Sequence, residues 1–256
     1  MLGRNGSGKS TIFRNILNIQ SPDSGTVLFN GKKINFESLN DIGYLIEEGC
    51  LTEEYTVYNQ FITFGILKNM SEEEVLKSLI YWLDRFNISE YLNKKIKDIS
   101  KGNRQKLQFI VAIMHKPKLL ILDEPFSGLD PVSIIEFKNV ILELKNFTTI
   151  IFSSHRMEHI ELLCDDILFI HDGVQLLYGD LNKIIEEYDI QKIIVDSNID
   201  DELILRKVKN KENTYTIYIY KQNLDYIINK LDCKYKLLPI NLEDIFIDKV
   251  GLEYEK

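Results

Sequence analysis

Gly3-Arg4-Asn5-Gly6-Ser7-Gly8-Lys9-Ser10 is the stretch that decides the fold. It fits G-x-x-x-x-G-K-[ST], a loop whose glycines let successive backbone N–H groups turn toward phosphate oxygens. Lys9 brings a point charge to the outer phosphates, and Ser10 offers a hydroxyl to Mg²⁺. After Thr11, the residues Ile12, Phe13, Ile16 and Leu17 keep helical spacing. The loop therefore opens a helix, with the positive end of its dipole on the anion. A chance Gly-rich turn is the competing reading, and the eight-position match followed by a helix stands against it. The loop alone says only that a nucleotide binds.

Outward from it, Leu119-Leu120-Ile121-Leu122-Asp123-Glu124-Pro125 reads as an apolar strand ending in two carboxylates. Asp123 suits Mg²⁺, held through a water. Glu124, pointing elsewhere, can polarise an attacking water. A solvated pair of strand-end acids is the bland reading, and linkage to the phosphate loop argues against it. Thr148-Thr149-Ile150-Ile151-Phe152 is a second apolar run, as in parallel strands covered on both faces. Ile167 to Ile170, Asp172-Gly173 and Val174 to Tyr178 read as a hairpin. Residues 71–115 read as helical: Ser71 with Glu74 makes a capping box, and Val75, Leu76, Leu79, Leu83 and Phe86 keep the period. Leu107, Ile110, Val111 and Met114 form a second helical stripe. Residues 1–70 beyond the loop and its helix read as short strand-like pieces.

From about residue 181 the pattern changes. A helix, a strand at Ile193-Ile194-Val195, a charged turn from Lys207 to Asn213, a strand from Tyr215 to Tyr220 and two further helices are expected. Alternating Tyr with Thr and Ile reads as one face of a packed sheet rather than a stacking platform for nucleic acid. The fold expected is α/β, with a small C-terminal α/β domain.

The 256 residues carry 39 acidic and 31 basic side chains, a net charge of −8, which excludes a general nucleic-acid binder. At 45% hydrophobic and 27% charged the composition is globular rather than disordered. No apolar run reaches the roughly 18 residues of a membrane span, and Met1-Leu2-Gly3-Arg4-Asn5 has no signal-peptide core. Cys50, Cys164 and Cys233 show no spacing pattern and read as free thiols in a reducing, cytosolic compartment.

Ile99-Ser100-Lys101-Gly102-Asn103-Arg104-Gln105 places a Ser and a Gly at a helix start, which alone is a plain N-cap. In order, the phosphate loop, Ser-x-Gly-x-x-Gln, Leu-Leu-Ile-Leu-Asp-Glu-Pro, Phe126-Ser127-Gly128-Leu129-Asp130 and a strand ending in Ile151-Phe152-Ser153-Ser154-His155 resemble the ATP-binding subunit of an ABC transporter. The resemblance implies a P-loop NTPase fold with a mixed, mainly parallel sheet. It implies an ATPase domain over 1–180, a helical subdomain at about 71–115, and an appended domain over 181–256. It also implies ATP and Mg²⁺ as cofactors. Gly3, Arg4, Asn5, Gly6, Ser7, Gly8, Lys9, Ser10 and Thr11 would hold ATP, and Ser10 and Asp123 the metal. Glu124 would be the base, and His155 would reach the γ-phosphate. Ser100, Gly102 and Asp130 would face the nucleotide of a second ABC subunit, homo- or heterodimeric. Ile42-Gly43-Tyr44-Leu45-Ile46-Glu47-Glu48 falls at the Q-loop, with Glu47 where most members carry Gln; Glu still suits Mg²⁺ or its water. A membrane-spanning permease on a separate chain is the other implied partner, which would place this one in the cytoplasm at the inner face of the cell membrane.

Ser100-Lys101-Gly102, the Q-loop glutamate, Ser-Ser-His-Arg-Met-Glu-His and the ending Asn241-Leu242-Glu243-Asp244-Ile245-Phe246 are similar to the sodium-exporter type within the ABC-2 exporter class. In the family an antiparallel strand pair, an adenine-stacking aromatic and a central strand precede the loop. Here Met1-Leu2 stands in their place, so a fragment or a misassigned start is expected. The alternative function is a truncated, catalytically impaired remnant that only binds or dimerises; a soluble ABC protein of translation or DNA repair is disfavoured by the single unit and the acidic charge. His155-Arg156-Met157-Glu158-His159 matches an inverted zinc-peptidase motif, but its first histidine falls at the switch position. His159 is then expected at a surface or interface. Asn5-Gly6-Ser7 lies inside the phosphate loop and is rejected as a glycosylation acceptor.

Overall fold

Apolar strands buried on both faces need helices above and below them, and the computed structural model, which describes residues 1–46 and 49–251, supplies them. The order begins with α1 (Lys9–Ile16), a two-residue hairpin β1 (Leu28–Phe29) and β2 (Lys32–Lys33), and β3 (Ile42–Leu45). Then come α2 (Val57–Leu67), α3 (Glu72–Arg85), α4 (Lys101–Ile113), β4 (Leu119–Leu122), α5 (Pro131–Leu144), β5 (Thr149–Phe152) and α6 (Met157–Leu163). A hairpin of β6 (Asp166–His171) and β7 (Val174–Asp180) follows, with α7 (Leu181–Glu187) and β8 (Ile190–Val195). The last elements are β9 (Arg206–Lys209), β10 (Tyr215–Tyr220), α8 (Leu224–Lys230), β11 (Tyr235–Leu238) and α9 (Leu242–Val250). Two compact units result: Met1–Leu163 with Leu168–Leu177, and Cys164–Ile167 with Tyr178–Lys256.

In the first unit β3, β4 and β5 are parallel in that order, with Ile42 opposite Leu119 and Leu119 opposite Thr149. Leu2 makes parallel bridges to Ser154 and to Phe169, so Met1-Leu2 lies between the end of β5 and β6. Phe13 and Leu17 of the first helical stretch pack with Ile42, Leu119, Ile121 and Ile170 into one core cluster. Every residue of β4 is buried, as expected. β5 is less covered than expected: Thr149 is exposed and Ile150 and Ile151 are half-buried. On the side away from β4, among the described residues, Met1 donates to the Phe152 carbonyl at 2.6 Å and Leu2 bridges Ser154, so only the end of β5 is paired there.

The capping box at Ser71 and Glu74 forms as read. Phe86, Phe109 and Phe137 join α3, α4 and α5, with Phe109 and Phe137 stacked 4.6 Å apart. α4 is buried almost all round from Lys106 to Ile113, so the expected stripe is too narrow, and its Val111 is only half-buried. The helical zone also begins earlier than expected, at Val57. Thr56 caps α2 by accepting the Asn59 amide at 3.2 Å, and the exposed side of α2 mixes Asn59 and Thr63 with Ile66 and Leu67, which blurs its polar face.

The second unit is a four-stranded antiparallel sheet in the order β11-β8-β10-β9. The expected charged turn at 207–213 is instead partly a strand: β9 pairs along β10, and its lysines suit an exposed sheet edge. β11 also stands between the two expected helices. Of the tyrosines of β10, Tyr215 packs against the core cluster, but Tyr218 faces the other way. Ile217 and Ile219 pack with Ile193, Val195 and Ile227, whereas the phenol of Tyr218 donates to Asp244 at 2.7 Å. Asp244 also accepts from Lys192 at 3.0 Å and Arg206 at 3.2 Å, a buried charge cluster.

Candidate nucleotide site

The phosphate loop curls where glycine permits it. Gly8 sits at φ 104° and caps α1, a conformation that L side chains rarely adopt. At Gly3 the reason is space: a Cβ there would stand 2.4 Å from the Ile170 carbonyl oxygen and 2.5 Å from Ser7 Oγ. The first amides of α1 have no acceptor within the helix. The Lys9 ammonium is buried and donates to the carbonyls of Gly3 at 2.8 Å and Arg4 at 3.0 Å.

The ends of β4 and β5 meet the start of α1. Ser10 Oγ donates to Asp123 Oδ2 at 2.8 Å, and Ser153 Oγ donates to Asp123 Oδ1 at 2.6 Å. The Glu124 amide donates to Ser153 Oγ at 2.9 Å. Glu124 lies at φ 48°, a left-handed conformation uncommon outside glycine. Its Oε2 is 3.0 Å from His155 Nδ1, while Oε1 is buried without a partner among the described residues. Asn5, Gly6, Gly8, Lys9, Ser10, Thr11, Asp123 and Glu124 line one cleft of about 350 Å³.

These groups fit a magnesium nucleotide. The hydroxyl of Ser10 and the carboxylate of Asp123 are adjacent hard oxygen donors, the set Mg²⁺ prefers. A buried lysine and a helix N-terminus converge on the same cleft. Ser7 Oγ and Glu124 Oε1 are buried polar atoms that the described residues leave unsatisfied, and such atoms mark a place for an outside partner.

Ser100, Gly102 and Asp130 are not among the residues that line this cleft. Ser100 caps α4 by accepting the Asn103 amide at 3.4 Å. Gly102, on the first turn of α4, faces open space, so packing within the chain does not require glycine there. Asp130 caps α5: it accepts the Ser133 hydroxyl at 2.7 Å and the amides of Ser133 and Val132. Those bonds, the Ser133 hydroxyl foremost, hold its carboxyl below the usual carboxylate range. Glu47 lies outside the described residues.

His159 is not at a surface. It is 3% exposed, with its ring 4.3 Å from that of Phe126. Burial, then the charges of Lys138 and Arg156, push it down to about 4. α6 starts at Met157, two residues after His155, and its first turn carries His159 inward. Ser153 is the site residue that the sequence reading left without a role. Its one signal was a hydroxyl directly after an apolar strand.

Residues 1–127 match the family model for the ABC transporter. An uncharacterized ABC transporter ATP-binding protein of Bacillus subtilis, YhaQ, is 40% identical over all of this chain and 90% of its own length. A solved ATP-binding subunit of an ABC transporter superposes with a TM-score of 0.68 at 30% identity, covering 73% of this chain and 79% of that one. A second, cbiO1 from Clostridium perfringens, part of the ABC transporter complex cbiONQ, gives 0.63 at 30% identity, covering 73% and 78%. The fold is thus that of the P-loop NTPases, α/β with a parallel sheet, and the chain belongs to the ATP-binding proteins of the ABC transporters.

Proposed function

We propose that this chain is the ATP-hydrolysing subunit of an ABC exporter and powers a separate membrane subunit. The observation that carries the proposal is the continuous polar line Ser10–Asp123–Ser153–Glu124–His155 at the mouth of the phosphate loop. Bound Mg²⁺-ATP supplies the phosphoryl group that is transferred to water. Gly3 to Thr11 would cradle its phosphates, Lys9 would give its ammonium to them, and Ser10 and Asp123 would hold the metal. Glu124 Oε1 is free to accept a proton from the attacking water, and His155, on Oε2, keeps that carboxylate in place. In a head-to-tail pair, Ser100, Gly102 and Asp130 would serve the nucleotide of the other copy. The exposed start of α4 and the unfilled space at Gly102 support this reading.

We read the first unit as the ATPase domain and the second as the appended domain. Similarity to the sodium-exporter type, in Ser100-Lys101-Gly102 and in the closing 241–246, supports an ABC-2 exporter. No helix among the described residues is long and apolar enough to cross a membrane, so the span would be the permease's, with this subunit on the inner membrane face. The reading of an impaired remnant has no observation in its favour, since the line of site residues is assembled.

Hydrolysis by the chain and by Glu124→Gln tests the proposal. Turnover is expected to fall ~10²–10⁴-fold, the worth of a general base, with ATP retained and a stable dimer on size exclusion. Unchanged turnover in the variant overturns the role of Glu124.

A further inference from the structure

We infer that Ser153 is a positioning residue for this hydrolysis: one buried hydroxyl sets both the carboxylate of Asp123 and the backbone of Glu124. The inference rests on the proposed function. Ser153 directly follows β5 and is fully buried. Its amide donates to the Leu122 carbonyl at 2.9 Å, which ties the end of β5 to the end of β4. Its Oγ donates at 2.6 Å to Asp123 Oδ1, while Ser10 Oγ donates at 2.8 Å to Oδ2. Two serines from distant parts of the chain thus hold one oxygen each, and the carboxylate has a single orientation. Bonds of this kind to a charged acceptor are the stronger ones.

The same Oγ accepts the Glu124 amide at 2.9 Å. That bond steadies Glu124 in its left-handed backbone, φ 48°. Two residues further on, His155 reaches Glu124 Oε2 at 3.0 Å. One strand end therefore grips Glu124 twice, at its backbone and at one carboxylate oxygen. What is left over is Oε1, buried and unshared among the described residues. Ser153 and His155 together decide which oxygen is available, but only Ser153 also reaches Asp123.

The test compares the parent chain, Ser153→Ala and Ser153→Thr. ATP hydrolysis gives kcat and KM. The Mg²⁺ concentration needed for half of the ATP-induced rise in melting temperature needs no turnover. Ser153→Ala is expected to lower kcat ~10–100-fold and to raise the Mg²⁺ requirement by a similar factor, as removal of groups that orient metal ligands does. KM for ATP and the melting temperature without nucleotide stay near the parent's, and Ser153→Thr, which keeps the hydroxyl, recovers most of the loss. Parental kcat and Mg²⁺ requirement in Ser153→Ala overturn the inference. So does a fall in kcat matched by a rise in KM and a lower melting temperature, the mark of a packing role. A parent chain without turnover refutes the proposed function instead, and the Mg²⁺ requirement then decides on Ser153 alone.

Discussion

Mild acid should unfold the first unit through two histidines rather than through its carboxylates. His159 lies against Phe126, with burial first and the charges of Lys138 and Arg156 next pushing it down from 6.5 to about 4. His115 is likewise pushed down to about 4, by burial and then by the charge of Lys68. Its Nε2 is 3.3 Å from the Ile42 carbonyl oxygen, the same oxygen that accepts the Lys68 ammonium at 2.8 Å. Both rings are therefore neutral in the fold at a pH where the unfolded chain protonates them. The unfolded state binds the extra protons between 6.5 and 4, so stability is full above that window and is lost as pH falls through it. A gap from 6.5 to about 4 is worth ~3 kcal/mol at 1.4 kcal/mol per pH unit. His115 is the more exposed of the two and contributes less, which puts the pair near ~5 kcal/mol, comparable to the whole stability of a marginal domain. Trp82, the sole tryptophan, is 8% exposed on α3 and reports this unit directly. Urea unfolding followed by its fluorescence across the window should show the loss in the parent chain. His115→Gln with His159→Phe should flatten it, the new phenyl ring keeping the contact with Phe126. Equal slopes in parent and double variant would refute the reasoning and assign the acid sensitivity to carboxylates.

Two further changes probe the second unit and the loop. Asp244→Ala removes the common acceptor of Lys192, Arg206 and Tyr218, together with the capping box of α9. Stranding two mostly buried cations should cost ~3–5 kcal/mol, seen as lost hydrogen-exchange protection in β8 and β10; retained protection there would show that the cluster is not what holds this sheet. Gly3→Ala forces a methyl to within 2.4 Å of the Ile170 carbonyl oxygen. Overpacking of that kind costs ~1–3 kcal/mol, so the Trp82 unfolding midpoint and equilibrium ATP binding should both drop, and a variant that kept both would place the loop's tightness elsewhere.

The phosphate loop, the strand closing in Asp123 and Glu124, and the capping box at Ser71 were legible because each is written within a few residues. Elements that depend on a neighbour were not. β9 carries Arg206, Lys207 and Lys209, which look like a turn until β10 offers them a sheet edge. α2 hides because Ile66 and Leu67 share its exposed side with Asn59 and Thr63. His159 looks exposed beside Glu158 and Arg156, and only the packing of its ring on Phe126 turns it inward. Tyr218 follows the alternation of its strand correctly, yet its face holds ions rather than the core, and the partner that makes this so, Asp244, comes 26 residues later.

Register is the deepest of these hidden facts, because it builds the site. β4 reads Leu-Leu-Ile-Leu and β5 reads Thr-Ile-Ile-Phe. Neither alternates between polar and apolar, so nothing in either strand says which residue faces which. In the fold Leu122 lies opposite Phe152, and one step beyond, Asp123 meets Ser153 at 2.6 Å. A slip by one residue would bring Phe152 or Ser154 to Asp123 and turn every side chain of the strand to the other face. The pairing is fixed at its two ends: the Thr148 hydroxyl donates to the Pro117 carbonyl at 2.9 Å at one, and the Ser153 amide to that of Leu122 at the other. Since parallel strands deliver their ends to one edge of the sheet, the same alignment brings residues 3–10, 123–124 and 153–155 together. The chemistry of each segment can be read from its own residues; their meeting depends on a register that only the folded sheet specifies.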